Sequence, residues 1–184
     1  IRRVKDLRLT YTLTEGGGAN EQNTTVTLSN ETIRVSGSEA ALDLLGDTLS
    51  IGTINLGEIT RNSILTFAIS LPEGVNNLSG ITEVTAEIKF VGLSTRELTV
   101  DEIHPVNIPE GLGVELITEK LVVTLRGPSA QVANITPDDI YVTVDFTGAE
   151  VGTSTFKATA TYGEGFESIG TQKTESVSAK IEKN

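Results

Sequence analysis

The sequence predicts an all-β protein made of two tandem domains, each a small antiparallel β assembly with at most one short helix. The 184 residues include 26 Thr, 16 Val and 16 Ile, and β-branched side chains favour half-buried strands over helices. Several segments alternate apolar and polar residues, as strands do when one face of a sheet is buried. Strand motifs also recur about 90 residues apart, which places one domain at residues 1–92 and the other at residues 93–184.

Four pairs of motifs define the repeat. They occur in the same order in both halves, and their spacing drifts only from 90 to 93 residues. The matched pairs are residues 33–38 with 123–128, 56–57 with 147–148, 72–75 with 163–166, and 84–88 with 177–181. So small a drift indicates two homologous domains that differ by short loop insertions, and we expect a short extended linker near Leu93 to join them.

The alternation predicts seven strands, and a short helix follows the glycine-terminated strand of each half. The strands are predicted at residues 31–36, 62–69, 82–90, 119–126, 140–146, 153–161 and 175–182. The helices are predicted at residues 39–45, where Ser38 is the N-cap, and at residues 129–133, where Pro128 suits the first turn. The glycine-rich segment 16–20 is interpreted as a flexible hairpin loop or an insertion.

Composition argues against several classes of function. The chain carries 14 Lys and Arg against 25 Asp and Glu, a net charge of −11, so we expect no binding to nucleic acid or to an anionic lipid surface. Aromatic residues make up 4% and Trp is absent, which leaves little material for stacking on bases or sugars. Without Cys there is no disulfide and no thiolate metal site. No apolar run is long enough for this segment to insert into a membrane, and a chain that begins at Ile1 is interpreted as part of a longer protein.

The order of the motif strings resembles that of a known family. The second half contains IPEGLGV from Ile108, VTLRGP from Val123, IYVTVDFTGAEVGT from Ile140 and VSAKIEK from Val177. The first half contains IRVSGS from Ile33, INLGEI from Ile54, LPEGV from Leu71 and VTAEIKF from Val84. Together the strings resemble the YbbR-like domain family. Residues from about 94 to 184 are similar to one full repeat, and the first half is similar to a diverged repeat that lacks the Arg-Gly-Pro and Asp-Phe-Thr-Gly forms.

The resemblance implies a fold, a location and a role. In similar proteins, tandem YbbR repeats follow an N-terminal membrane anchor and lie outside the cytoplasmic membrane of Gram-positive and related bacteria. Their best-known role is that of CdaR-type regulators of the membrane diadenylate cyclase, which makes cyclic di-AMP. The resemblance therefore implies a non-enzymatic, extracytoplasmic segment that contacts this cyclase, with a cell-envelope component as a further partner. The family's small β folds are related to the C-terminal domain of a ribosomal protein, a kinship that concerns fold and not partner.

No set of residues in the sequence predicts a catalytic, cofactor-binding or metal-binding site. His104 is the only His. It precedes Pro105 and is interpreted as a solvated or packed linker residue, because no metal or triad motif accompanies it. The pair Asp138 and Asp139 follows Thr-Pro and is predicted to form a turn. The pairs Asp101 with Glu102 and Asp43 with Asp47 are predicted to lie on the solvated surface. Arg126 is also predicted to lie on the surface, where it either clamps a carboxylate of a partner or, in preference, pairs with a neighbouring surface acid.

Two other classes of function stay open at this point. A passive surface stalk or adhesin module would have the same composition and the same repeats. An enzyme without a catalytic His, such as an acidic glycan hydrolase, would need two carboxylates on opposite sides of a cleft. Composition does not separate a stalk from a regulator, and it is the family resemblance that implies regulation through protein contact.

Overall fold

The structure, a computed structural model, describes all 184 residues. The fold is all-β, as predicted, and the chain divides into two compact units. Unit 1 comprises residues 1–15 and 20–91, and unit 2 comprises residues 16–19 and 92–184. Leu93, predicted in a linker, is instead the first residue of a strand.

Each unit contains short strands and one short α-helix. The elements of unit 1 are β1 (Arg3–Thr14), β2 (Thr24–Leu28), β3 (Thr32–Gly37), α1 (Glu39–Leu45), β4 (Thr48–Asn55), β5 (Ser63–Ala68), β6 (Asn76–Asn77) and β7 (Glu83–Phe90). Those of unit 2 are β8 (Leu93–Val100), β9 (Ile103–Val106), β10 (Leu112–Leu116), β11 (Leu121–Pro128), α2 (Ser129–Asn134), a 3₁₀ helix (Pro137–Asp139), β12 (Ile140–Asp145), β13 (Gly152–Tyr162), β14 (Gly170–Thr174) and β15 (Ser176–Lys183). All seven predicted strands are present with small shifts at their ends, whereas the alternation did not single out β1, β2, β4, β6, β8, β9, β10 and β14.

Unit 1 has two sheets. One has the strand order β4-β1-β3-β6 and the other β2-β7-β5. The first half of β1 pairs antiparallel with β3, and its second half pairs in parallel with β4. The chain therefore leaves β3, passes through α1 and returns on the far side of β1. The sheets are thus not purely antiparallel, because this crossover makes β4 run in the same direction as β1.

Unit 2 repeats this scheme with eight strands. Its sheets have the orders β14-β11-β8 and β10-β15-β13-β12-β9. The strand β8 pairs antiparallel with β11, and β9 pairs in parallel with β12, so β8 and β9 together take the place of β1. The buried core includes Leu125, Val144, Phe146, Val177 and Ile181, each at most 1% exposed.

The ends of the short helices follow the local sequence. The Ser38 side chain accepts a hydrogen bond from the Ala41 N–H (3.3 Å), which confirms the predicted cap of α1. The helix α2 begins directly after Pro128, as predicted. The Asp139 carboxylate accepts bonds from the N–H of Thr136 (2.8 Å) and from its hydroxyl (2.9 Å), which confirms the predicted Thr-Pro-Asp-Asp turn.

Two of the four motif matches are wrong by a few residues. The N–H of Leu56 donates to Thr14 and the N–H of Phe146 donates to Val106, both at 2.9 Å, so Leu56 corresponds to Phe146 and not to Thr147. Likewise Val75 corresponds to Ile169, because each closes a tight turn and each is buried. The cause is length: β13 has 11 residues where β5 has six, which displaces the following turn.

Candidate partner-binding surface

The single His lies in a strand and not in a linker. The parallel pairing of β9 with β12 brings the His104 ring over the Tyr141 ring, with ring centroids 4.3 Å apart. The Nε2 atom of His104 is 3.9 Å from a carboxylate oxygen of Glu102. The predicted linker role is therefore wrong, because residues 103–106 form the edge of a five-stranded sheet.

The fold brings two of the carboxylate pairs to one groove. Asp101 and Glu102 precede β9, Asp138 and Asp139 precede β12, and all four line a groove of about 320 Å³ beside His104. Asp139 is held by Thr136, and no three His, Asp or Glu side chains are arranged to hold a metal ion. The sequence did not indicate this proximity, because the pairs are distant along the chain and meet only through the parallel pairing.

The third carboxylate pair belongs to the exposed surface, as predicted. The Asp47 carboxylate is 2.8 Å from the Lys5 ammonium, and its side chain is 90% exposed. The hydrogen bond from Lys5 lowers the pKa of Asp47 below its usual value. A pair this exposed contributes little to stability.

Arg126 is buried, and the expected surface role is wrong. The residue is 1% exposed, and its guanidinium donates to the carbonyls of Gly17 (2.6 Å) and Gly16 (3.2 Å), which belong to unit 2. Burial lowers the pKa of Arg126. Segment 16–19 therefore packs against this side chain and is not the flexible loop that its glycines predicted.

The sheet edges distinguish the two units. The edge strands of unit 1, β2, β4, β5 and β6, contain no charged residue and no Pro. Every edge strand of unit 2 contains at least one such residue: Arg96 and Glu97 in β8, Pro105 in β9, Glu115 in β10 and Lys173 in β14. Charges and Pro on an edge hinder the addition of a further strand. Unit 1 therefore has the sheet edges best suited to strand addition.

Similar solved structures include a YbbR-like domain of the Listeria monocytogenes protein lmo2119, with 18% identity, a TM-score of 0.39 and coverage of 50% of this chain and 95% of that one. SuR18C of Streptococcus thermophilus has 18% identity, a TM-score of 0.41 and coverage of 49% and 85%. A YbbR-like protein of Streptococcus pneumoniae has 10% identity, a TM-score of 0.35 and coverage of 100% and 96%. Two of these descriptions name the family that the sequence motifs resemble.

Two other comparisons gave no match. No family model matches the chain. No curated protein matches it either. None of the helices combines the length and the apolar character needed to cross a bilayer.

Proposed function

We propose that this chain is a non-enzymatic YbbR-like repeat segment of a membrane-anchored bacterial protein, placed outside the cytoplasmic membrane. There it modulates the membrane diadenylate cyclase, and hence cyclic di-AMP production, through protein contact. The observation that carries the proposal is the repeated strand plan, in which a strand with glycine at or next to its end, a short helix and a parallel return strand recur in both units. The motif strings that resemble the family lie on these elements.

The surface of the chain supports contact over chemistry. Carboxylates are plentiful, but the four that share a groove include Asp139, which is engaged in a turn. The uncharged edges of unit 1 offer backbone N–H and carbonyl groups to an incoming strand, a common way for one protein to recognise another. A repeat segment of this kind can bind a partner without a reactive side chain.

The test uses the full-length protein in its native membrane. We expect the protein to co-purify with the diadenylate cyclase, and we expect cyclic di-AMP levels to change when residues 1–184 are deleted. A matched replacement of these residues by an unrelated β-repeat segment of similar length should fail to restore the level. Absence of association together with unchanged cyclic di-AMP would remove the proposal, and restoration by the unrelated segment would favour a passive stalk.

A further inference from the structure

One strand of unit 1 is unprotected and also exposes apolar side chains. The strand β5 ends its sheet and pairs only with β7. Its outward positions are Ile64, Thr66 and Ala68, and Ile64 is 66% exposed. The other edges of unit 1 expose Thr and Ser on β2 and β4 and a single Asn on the two-residue β6. Among the edge strands of the whole chain, Ile64 is the only large apolar side chain this exposed.

The charges beside β5 indicate which partner fits. Glu87 lies opposite Ile64, and Glu83 lies opposite Ala68, on the neighbouring strand β7. Lys89 approaches Glu87 at 3.0 Å, so the group of three carries an excess negative charge. The whole chain has a net charge of −11. A second copy would bring like charges together, whereas a cationic segment would be attracted.

We propose that β5 is a docking edge for an extended segment of a partner protein in which apolar and basic residues alternate. Backbone hydrogen bonds to β5 would supply affinity. The basic residues would share the face of Ile64, Glu83 and Glu87, with their aliphatic stems over Ile64, and the apolar residues would lie on the opposite face beside Leu65 and Phe67. The inference rests on the proposed function in one respect, namely that the chain acts through protein contact. It adds the surface and the chemistry of the partner segment.

The first test uses the purified chain and a synthetic probe, a blocked decapeptide in which Val and Lys alternate. We expect fluorescence anisotropy to detect binding, and hydrogen exchange to slow at residues 63–68. A decapeptide in which Val and Glu alternate should bind at least about tenfold more weakly, because its charge matches that of the chain. Absence of binding by the Lys peptide, or protection confined to another strand, would overturn the proposal.

Matched variants locate the binding. Ile64→Lys adds a positive charge to β5 and should weaken binding of the Lys peptide about tenfold or more. Thr143→Lys adds the same charge to β12 at a residue paired on both sides, with Thr159 and with His104, and should leave binding unchanged. Equal effects of the two variants would contradict a site on β5. Sedimentation showing a dimer that Ile64→Lys dissociates would identify a second copy as the occupant and would overturn the cationic partner.

The peptide assay and the cyclase assay fail independently. The peptide assay contains no cyclase, so loss of its signal while the cyclase still co-purifies would remove only the inference about β5. Peptide binding at β5 without any association with the cyclase would remove only the proposed function. Each result therefore bears on one claim.

Discussion

The two units follow one strand plan, but they differ in what closes their sheets. In unit 2, β13 continues past its pairing with β15 and then pairs with β12, which joins five strands in one sheet. In unit 1, β5 stops at Ala68, and Pro72 follows four residues later. Because β5 has six residues where β13 has 11, it lacks the second half with which β13 pairs with β12, and the equivalent pairing with β4 is absent. The plan therefore tolerates the loss of one strand pairing, and that loss leaves edges open.

The buried polar residues of the two units occupy the same position in the strand plan but differ in their side chains. Only Ser36 and Arg126 are polar and buried among the side chains, and each stands one residue before a glycine, the last residue of β3 and the last but one of β11. Ser36 is small, whereas Arg126 is long enough to reach the carbonyls of Gly16 and Gly17. A single position thus serves simple packing in unit 1 and the anchoring of segment 16–19 in unit 2.

The largest expected effect comes from the core position that both units share. Leu56 and Phe146 are each 0% exposed, and the Phe146 ring lies 4.6 Å from the Phe156 ring. Phe146→Ala should destabilise unit 2 by about 3–5 kcal/mol, because it leaves a cavity. Phe146→Leu copies unit 1 and should cost about 1.5 kcal/mol. Urea unfolding followed by circular dichroism measures both, and equal costs would show that the two positions do not correspond.

Arg126→Ser tests the second shared position. The substitution removes the donors to Gly16 and Gly17 and should destabilise unit 2 by about 2–3 kcal/mol, because it loses both packing and buried hydrogen bonds. Ser36→Ala should cost about 0.5 kcal/mol. Hydrogen exchange should accelerate at residues 16–19 in the Arg126 variant alone. Unchanged exchange in that segment would contradict the anchoring role.

Two glycines with nearly equal φ angles allow the cost of steric crowding to be measured apart from the cost of backbone strain. Gly18 (φ +77°) and Gly111 (φ +78°) both adopt the left-handed conformation. A Cβ on Gly18 would lie 2.0 Å from the Arg126 carbonyl oxygen, whereas a Cβ on Gly111 would meet nothing within 4 Å. Gly111→Ala should therefore cost about 1 kcal/mol from strain alone. Gly18→Ala should cost about 2 kcal/mol, and the difference from Gly111→Ala reflects the loss of close packing around residue 18. Thermal unfolding measures both variants, and a larger loss of stability in Gly111→Ala than in Gly18→Ala would refute this packing.

The smallest effect concerns a turn that both units make with related side chains. The Asp145 carboxylate accepts bonds from the N–H (2.9 Å) and hydroxyl (2.6 Å) of Thr147, and Asn55 accepts from the N–H of Gly57 (3.1 Å). The Thr147 bonds lower the pKa of Asp145, so its contribution to stability is present above the unfolded pKa and is lost as pH falls through the folded pKa.

Exchanging these two side chains should exchange their pH dependence. Asp145→Asn should lose some stability at neutral pH and should lack this acid-induced loss, while Asn55→Asp should introduce a similar loss in unit 1. Thermal unfolding between pH 2 and pH 7 measures both changes. A steeper acid dependence in the Asp145 variant would have the wrong sign for this account.

The sequence was informative where the pattern is local. Alternation located the strands with long runs, such as β13, and the serine before residues 39–45 located the cap of α1. The strand β9 gave little signal, because four residues with His and Pro do not alternate clearly and the parallel pairing supplies its partner. The alternation at Leu7, Leu9, Tyr11 and Leu13 was a signal that would have located β1.

The surface was harder to predict than the fold. Arg126 reaches carbonyls more than 100 residues away along the chain, and nothing in the residues next to it indicates burial. The groove beside His104 likewise forms only when β9 pairs with β12. The open edges depend on which strands lie last in each sheet, which is a property of the whole topology. Local patterns carry no information about such distant pairings.

The claim that both halves share one plan is tested most directly by nuclear Overhauser contacts between backbone protons. We expect a parallel ladder in each half, with Thr12 beside Thr53 and His104 beside Thr143. A parallel ladder in only one half, or an antiparallel one in either, would contradict it.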